Sequence, residues 1–390
     1  MLDNHYTATL LDLEDVKITN VENISNQIYI YLELPRKKHA CPDCGTETDR
    51  IHDYRTQRIK DIPLGRNTFL LLRKRRYMCP HCRKRFFEKN HFLPRYHRVT
   101  GRLVASVIQA FRKNTSATDI AKHFNISTMT ALRYFDLVQY SCSKLPEILS
   151  IDEFKGNADG EKYQTILTDP CGKTVLDILP NRFESDLIRY FKQFPNRKHV
   201  KYFITDMNPH FRAVAQACFP QATIVADRFH VVRQVIWAME RVRKEEQKKL
   251  SARHRKYFKR SKSLLNKKYD KLTEEDMEHL ALMFEIAPRL ATAYRLKNQC
   301  LDILHAQSSA VARPQLAFWI QSVENTGFPE FKDCTKAFHN WFQEIMNALD
   351  VPWSNGFTEG CNNKTKVLKR ICYGIRKFGR LRNRILHSFS

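Results

Sequence analysis

Three acidic residues stand where a strand or a helix would present them to a metal ion. Asp152 and Asp206 come at the ends of two apolar segments that predict strands. Glu359 is the only acid among residues 351–390, which carry nine Lys and Arg. A solvated basic helix normally has acids at i±4 spacing to relieve its own repulsion, and carboxylates in contact repel one another unless a cation lies between them. We therefore expect the three to hold Mg²⁺ or Mn²⁺, which prefer oxygen ligands.

Two such ions about 4 Å apart can clamp the attacking and leaving oxygens of a displacement at phosphorus. The alternative is that the aspartates only cap strand ends and that Glu359 is an incidental surface residue.

Four cysteines have the spacing of zinc ligands. Cys41 and Cys44 lie in "CPDCG" and Cys79 and Cys82 lie in "CPHC", with 34 residues between the pairs. The segments "RTQRIKDIPL" and "NTFLLLRKRRYM" predict the two arms of a hairpin, which would bring the pairs together. We expect one structural Zn²⁺ on four thiolates. Two unrelated CxxC pairs, redox-active or merely buried, are the alternative.

The charge balance indicates a polyanionic partner. The 390 residues contain 66 Lys and Arg against 41 Asp and Glu, a net charge of +25. Residues 51–100 carry fourteen Lys and Arg against three acids, and residues 228–270 carry fifteen against four. Nucleic acid is the usual partner of such a protein. No apolar run of 18 residues predicts a membrane span, and eleven cysteines without a secretory signal favour a reducing compartment.

Residues 100–138 have helical periodicity. "TGRLVASVIQAFRKN" predicts one amphipathic helix, and "SATDIAKHFNISTMTALRYFDLV" predicts two short helices with an N-cap at Ser127. We expect a helix-turn-helix, although a plain helical hairpin has the same apolar spacing. Its second helix would present four residues to the major groove of DNA: Thr128, Thr130, Arg133 and Tyr134. Phosphate contacts are expected from a basic run on the preceding arm: Arg73, Lys74, Arg75 and Arg76.

The middle of the chain predicts a mixed α/β sheet. Three strands, "EILSIDEF", "KYQTILTD" and "KTVLDILP", precede a helix, the strand "VKYFITDM", a second helix and the strand "ATIVADRFHV". This is the element order of a ribonuclease H-like domain with helices on both faces of the sheet. The first and fourth strands are neighbours in that topology. Asp152 and Asp206 would then lie side by side.

A basic helix is predicted near the C-terminus. Glu359, Asn363, Lys366 and Arg370 lie at i, i+4, i+7 and i+11, which places them on one stripe. The acid would reach the metal ions while the amide and the cations contact DNA phosphates. The preceding 120 or so residues predict an all-helical insertion, whose basic start suits a DNA clamp or a solvated face. Any of four tryptophans could stack on an unpaired base, and the sequence does not select among them.

These motifs, in this order, resemble the ISL-three family of bacterial insertion-sequence transposases. The segments that carry the resemblance are the cysteine pairs, "IDEF", "ITDMNPHF", "VADRFHVV" and "SNGFTEGCNNKTKVLKRICYGIRKFGRLRNRIL". The resemblance implies a DDE catalytic triad at Asp152, Asp206 and Glu359. Asp227 and His230 match a D-x-x-H element of related groups, with His230 as an accessory residue or a satisfied core histidine.

The expected organisation is an α/β multidomain protein. It has a zinc-ribbon-like module at residues 1–98, a helix-turn-helix at 99–142, and a ribonuclease H-like core at 143–236 and 351–390, interrupted by a helical insertion at 237–350. The resemblance implies binding of terminal inverted repeats and target DNA, metal-dependent strand cleavage and transfer, a homodimer or higher oligomer, and a location at the nucleoid in the bacterial cytoplasm. The rival interpretations are a transposase-derived regulator and a junction-resolving nuclease.

Overall fold

The protein is described by a computed structural model that covers residues 11, 13, 16–94 and 97–390. The first ten residues of the predicted zinc module lie outside the described residues. The chain divides into two compact units. The first contains residues 1–140, 370–374 and 390, and the second contains residues 141–369 and 375–389.

The first unit is built on a five-stranded sheet. Its strands are β1 (Lys17–Ile24), β2 (Gln27–Glu33), β5 (Ile51–Asp61), β6 (Asn67–Met78) and β7 (Arg85–Phe87), and a two-stranded ribbon pairs β3 (His39–Ala40) with β4 (Glu47–Thr48). The sheet order is β1-β2-β6-β5, with β7 on β6. β5 and β6 pair antiparallel along their length, which confirms the predicted hairpin.

Three helices follow the sheet in the first unit: α1 (Gly101–Ala110), α2 (Ala117–His123) and α3 (Thr128–Phe135). Each begins at a hydroxyl residue whose side chain accepts a backbone N–H, namely Thr100, Ser116 and Ser127. Phe111 and Phe135 stack with their ring centroids 4.4 Å apart in the buried core between the helices. The predicted N-cap at Ser127 is confirmed.

The second unit contains a mixed sheet of five strands. They are β8 (Ile148–Ala158), β9 (Glu161–Asp169), β10 (Thr174–Leu179), β11 (Tyr202–Thr205) and β12 (Thr223–Ala226), in the order β10-β9-β8-β11-β12. β8, β9 and β10 form an antiparallel meander, whereas β11 runs parallel to both β8 and β12. The first and fourth strands of this sheet are therefore neighbours, as the sequence predicted.

Helices cover both faces of this sheet. Leu149 and Ile151 of β8 face α4 (Glu184–Lys192) and α5 (Pro209–Cys218), with which they share one apolar cluster. Ile148 and the other even-numbered residues of β8 point to the opposite face, because successive side chains of a strand alternate. That face packs against α13 (Phe342–Leu349) and the start of α14 (Gly356–Ile371). The last helix, α15 (Phe378–Phe389), packs on β10.

The rest of the second unit is helical, as predicted. Its helices are α6 (Arg228–Lys248), α7 (Ala252–Arg260), α8 (Lys262–Asn266), α9 (Glu274–Ile286), α10 (Pro288–Ile303), α11 (Ser309–Asn325) and α12 (Lys332–Asn340). They enclose their own apolar core. The predicted boundary between residues 236 and 237 falls inside the uninterrupted helix α6. None of the helices in the described part of the chain is long and apolar enough to cross a lipid bilayer.

Candidate active site and metal centre

Asp152 and Asp206 lie at the same edge of the second sheet. Ser150 of β8 pairs with Ile204 of β11 in parallel register, so each aspartate comes two residues after a paired position. The expectation that Asp152 ends its strand is wrong. β8 continues to Ala158 alongside β9, whereas β11 stops at Thr205. Asp152 is therefore presented where the parallel neighbour ends.

Burial and mutual repulsion act on the two carboxyl groups. Burial, together with the charge of Asp206, raises the pKa of Asp152 to about 7. Burial also raises the pKa of Asp206, and the positive charge of His230 opposes that rise. Carboxyl groups in this state favour protonation unless a cation is present. The pair therefore fits the ligand chemistry of a divalent metal ion, which would offset both effects.

Asp227 and His230 join the same edge. Asp227 follows β12 and precedes α6, and its backbone N–H bonds the carbonyl of Thr205 at 2.8 Å. Its Oδ2 lies 2.7 Å from Nδ1 of His230. Burial, the largest single influence, lowers the pKa of His230, but the hydrogen bond with Asp227 and the charges of Asp227 and Asp206 together raise the pKa above its ordinary value. His230 is thus a half-buried, charge-paired side chain beside the aspartates, not a histidine of the apolar core.

The face of α14 that meets the sheet is polar. Asn355, Thr358, Asn362 and Thr365 are all at most 4% exposed. The Thr358 hydroxyl lies 2.9 Å from Ser150 Oγ and 2.7 Å from Thr168 Oγ1, and Asn355 also bonds Ser150. The Asn355 backbone N–H donates to Asp227 Oδ1 at 3.2 Å. These bonds fix the start of α14 against β8 and β9.

Asn362 contacts Asp152 directly. Its Nδ2 donates a hydrogen bond to Oδ2 of Asp152 at 2.8 Å. Its Oδ1 is buried and has no hydrogen-bond partner among the described residues. Sequence reasoning missed Asn362 and named its neighbour Asn363, which is exposed and accepts a hydrogen bond from Lys366 at 3.3 Å. A signal was available, because Asn355, Thr358 and Asn362 share one helical stripe.

The predicted stripe of Glu359, Asn363, Lys366 and Arg370 lies on the exposed side of α14. Glu359 is in the first turn of the helix, next to Thr358. Its carboxylate does not join the aspartates in a tight cluster. Within the described residues, the four cysteines are the only set of three or more His, Cys, Asp or Glu whose ligand atoms all lie within 4.8 Å of one another.

Those four cysteines come from two knuckles of the first unit. Three of their sulfur–sulfur distances, Cys41 to Cys82, Cys44 to Cys79 and Cys44 to Cys82, are 3.5 Å. A tetrahedral Zn²⁺ with bonds of about 2.3 Å requires sulfurs about 3.8 Å apart. A hydrogen bond with the Thr46 side chain lowers the pKa of Cys44 to about 5, which favours the thiolate that zinc binds. The cluster therefore fits one closed zinc site.

The predicted phosphate contacts on β6 differ among themselves. Arg73 is exposed and pairs with Glu33 at 2.8 Å, and Arg76 pairs with Asp53 at 3.3 Å. Lys74 lies 5.4 Å from the ring centroid of Phe87. Arg75 is buried, and its guanidinium is held by Glu88 at 3.2 Å and by the Leu34 carbonyl at 2.7 Å. Arg75 is therefore a structural ion-pair residue, and its assignment as a phosphate contact is wrong.

The predicted base-reading residues lie on α3. Arg133 is exposed, whereas Thr128, Thr130 and Tyr134 are half-buried. Tyr134 packs against the apolar core of the three helices, and the Thr130 hydroxyl lies 2.8 Å from Ser127 Oγ. Met129, 54% exposed, stands one turn before Arg133 and was not predicted. Arg133 and Met129 are therefore the side chains of α3 most open to a ligand.

Comparison with known families assigns the chain. A family model of DDE transposases, ISL3, described as "Transposase", matches residues 149–385. A second model, described as a zinc-finger of transposases IS204, IS1001, IS1096 and IS1165, matches residues 37–82 and so includes all four cysteines. The first match spans more than half of the chain and contains Asp152, Asp206, Asp227 and Glu359. The chain belongs to the ISL3 family of DDE transposases, which confirms the resemblance seen in the sequence.

Individual relatives agree with this assignment. The transposase for insertion sequence element IS1001 of Bordetella parapertussis is 28% identical over 393 residues, 96% of each chain. The transposase for IS1557 of Mycobacterium tuberculosis is 30% identical over 105 residues, 27% of this chain and 23% of its own. A Lactococcus lactis protein named ATP-dependent protease is 33% identical over 116 residues, 30% of this chain and 35% of its own. The relative that matches end to end is an insertion-sequence transposase.

Proposed function

We propose that this transposase binds the terminal inverted repeats of its insertion sequence, cleaves a phosphodiester at each end and joins the freed 3′-hydroxyl to target DNA. The catalytic domain would be a ribonuclease H-like core formed by β8 to β12 with α4, α5, α14 and α15, and the helical insertion would begin along α6 and end before residue 351. One observation carries the proposal. Asp152 and Asp206 lie at the same edge of the sheet, where β11 ends and β8 continues. There, burial and the charge of Asp206 raise the pKa of Asp152 to about 7.

Asp152 and Asp206 would hold Mg²⁺ with carboxylate oxygens, and Glu359 would complete the ligand set. When bound there, Mg²⁺ would supply positive charge that stabilises the attacking and leaving oxygens of a displacement at phosphorus. Asn362 orients Oδ2 of Asp152 through its amide N–H. Asp227 favours the protonated ring of His230, which adds a positive charge beside the two aspartates. This arrangement supports a metal-dependent cut at a strongly anionic substrate.

DNA recognition is proposed for the first unit. The zinc module at residues 1–98 would hold the phosphate backbone through Arg73, Lys74 and Arg76. Residues 99–142 would act as a helix-turn-helix, with Arg133 reaching base edges from α3. The N-caps at Ser116 and Ser127 support two short helices of the required length. Because both ends must be joined in one event, the working form is at least a homodimer.

The helical insertion offers a second DNA surface. An open groove of about 510 Å³ lies between α6 and α7. Its cations include Lys244, Arg255, Lys256 and Lys259, all exposed. Cations gathered in this way bind phosphates by releasing counterions. Exchanging Arg255 and Lys256 for Gln should flatten the log–log dependence of DNA affinity on salt by about one to two units, for all sequences alike; an unchanged slope would remove this groove from the DNA path.

The decisive test is cleavage of labelled duplexes that end in the terminal repeat. With Mg²⁺, the wild type should nick each end at one position that can be mapped to the base. Asp152→Asn, Asp206→Asn and Glu359→Gln should bind the duplex at least as tightly, yet cut about 10³-fold more slowly or not at all, because a metal ligand is lost.

Glu153→Gln is the matched control. Glu153 neighbours Asp152 in sequence, but its carboxylate pairs with Arg182 at 2.6 Å. This variant should keep most of the cutting activity. Normal cutting by Glu359→Gln would show that Glu359 is not the third metal ligand and that another residue takes this role. Binding of the repeat without any cutting by the wild type would favour the regulator, and a preference for branched DNA would favour the junction nuclease.

A further inference from the structure

The four tryptophans of the chain differ in exposure. Trp319 and Trp341 are buried at 3% and 4% exposure. Trp353 is half-buried, with its ring centroid 4.8 Å from that of Tyr202. Trp237, on α6, is 46% exposed. A large aromatic surface of this kind is costly to leave in water and often marks a binding site.

Trp237 belongs to a partly exposed stripe of α6, in which Arg233 is half-buried. Phe229, Arg233 and Trp237 lie at i, i+4 and i+8, and Phe229 is 50% exposed. The guanidinium carbon of Arg233 lies 4.5 Å from the Trp237 ring centroid and 5.6 Å from that of Phe229. The Nε of Arg233 is buried without a hydrogen-bond partner among the described residues. The stripe thus combines two aromatic surfaces with a cationic donor that is not fully used.

This stripe begins beside the acidic edge. Phe229 packs edge-on against His230, with ring centroids 5.7 Å apart, and His230 bonds Asp227. His230 and Trp237 are seven residues apart, two helical turns, so they lie on the same side of α6 about 10 Å apart along its axis. A DNA strand whose scissile phosphate reaches Asp152 would have its next few nucleotides within reach of Trp237.

We propose that the stripe of Phe229, Arg233 and Trp237 binds an unpaired nucleobase of the DNA end next to the scissile phosphate. The base would stack on Trp237, and Arg233 would donate to its phosphate. Every base has a π-face, so this subsite tolerates any sequence. The inference rests on the proposed function, because it requires that DNA occupies the acidic edge. A protein partner is less suited, because an apolar contact over this stripe would desolvate the charge of Arg233.

The test compares two labelled duplexes that end in the terminal repeat, one blunt and one with a short single-stranded extension. Affinities are measured by fluorescence anisotropy without divalent metal, so that cutting does not intervene. The wild type should prefer the extended duplex, and Trp237→Ala should reduce that preference by roughly 5- to 150-fold, the range expected for one stacked base. Trp237→Phe should keep most of it, because a phenyl ring still stacks.

Two controls identify the contact. Phe318→Ala removes another exposed aromatic side chain, 72% exposed on α11, and it should leave the preference unchanged. Abasic sites are then placed at successive positions of the extension. One position should reproduce the loss seen with Trp237→Ala, and combining that position with the variant should cause no further loss, because both changes delete the same contact.

The proposal falls if Trp237→Ala and the wild type show equal preference for the extension. It also falls if, at every position, the loss of preference caused by an abasic site and the loss caused by Trp237→Ala are additive. It also falls if Trp237→Ala changes only self-association, measured by analytical ultracentrifugation, since the stripe is then a subunit contact. Cutting of the repeat by the wild type in Mg²⁺ is scored separately. A failure of this subsite is thereby distinguished from a failure of the proposed function.

Discussion

The amide of Asn362 donates a hydrogen bond of 2.8 Å to the carboxylate of Asp152, across 210 residues of sequence. Asn362 is 4% exposed, so this bond is shielded from water. It leaves Oδ1 of Asp152 for the backbone N–H of Glu153 at 2.7 Å. Both oxygens of the carboxylate are therefore oriented by neighbouring groups.

Asn362→Ala should weaken the binding of Mg²⁺ at Asp152 and leave the affinity for DNA unchanged. Without the amide donor, the ionised form of Asp152 loses a hydrogen bond, and lost supporting contacts of metal ligands typically cost 10- to 100-fold in affinity or activity. The Mg²⁺ concentration for half-maximal cutting should rise by about that factor, with cutting restored at high Mg²⁺. Asn363→Ala, one residue away and exposed, should leave the Mg²⁺ dependence as in the wild type. An equal effect of both variants would contradict the positioning role.

Thr358→Val and Thr365→Val form a matched pair on one helix face. Both threonines are at most 1% exposed. The Thr358 hydroxyl bonds Ser150 and Thr168, whereas the Thr365 hydroxyl has no hydrogen-bond partner among the described residues. Thr358→Val should lower the free energy of unfolding by about 1–3 kcal/mol, because the buried Thr168 hydroxyl loses its partner and Ser150 keeps only Asn355. Thr365→Val should be neutral or stabilising. Denaturant unfolding measures both, and equal losses would show that the hydroxyl network is not what holds α14.

Stability without metal should fall as pH rises from about 4 to 7. The folded pKa of Asp152 is about 7 and its ordinary value is 3.8, so the unfolded chain releases the proton first. The cost of ionising the buried Asp152 carboxyl in the folded state is absent below pH 4, grows between pH 4 and 7, and reaches its full value above pH 7. In EDTA, Asp152→Asn should therefore be more stable than the wild type at pH 8, by on the order of 2 kcal/mol.

The exposed Asp270→Asn is the control for this prediction, and its pH profile should match that of the wild type. Adding Mg²⁺ should raise the melting temperature of the wild type but not that of Asp152→Asn. A wild type that becomes more stable between pH 4 and 7 by the same amount as the Asp152 variant would contradict the assignment of a desolvated carboxylate.

Cys41→Ser should release zinc from the first unit. A closed thiolate site couples metal binding to folding, so metal analysis should give one equivalent of zinc for the wild type and well under one for the variant. Cys171→Ser, at an exposed cysteine outside the cluster, should keep one equivalent. Zinc content that is insensitive to Cys41 would break the link between the four sulfurs and the metal.

The sheet of the second unit was predictable because its strands carry local signals. The apolar runs around Ile151, Ile204 and Val225 are short and end at turn residues, and their order left few topologies open. The sequence could not show that β8 extends past Asp152 to Ala158. The length of a strand depends on its partner, and here β9 extends the ladder after β11 has ended.

The orientation of α14 was harder to predict for a different reason. The buried side of α14 carries Thr358, Asn362 and Thr365 beside the apolar Cys361 and Leu368, and Asn355 precedes the helix. Apolar periodicity shows which side of a helix is buried, but it does not show which polar residues of that side make contacts. The visible stripe of Glu359, Asn363 and Lys366 is the exposed one, which is why Asn363 was named and Asn362 was not. The shared stripe of Asn355, Thr358 and Asn362 is visible in the sequence, but their hydrogen-bond partners, more than 200 residues earlier in β8, are not.

The same distant pairing bears on how the protein is made. Ser150 leaves the ribosome 208 residues before Thr358, its hydrogen-bond partner. During synthesis, the whole helical insertion must emerge while the hydroxyls of β8 and β9 remain open to water. A chain cut short before residue 355 would contain both aspartates and α13, but α14 would be missing from this face of the sheet. An incomplete translation product would thus contain Asp152 and Asp206 but lack α14, which carries Asn362 and Glu359. We expect such a product to have no nuclease activity.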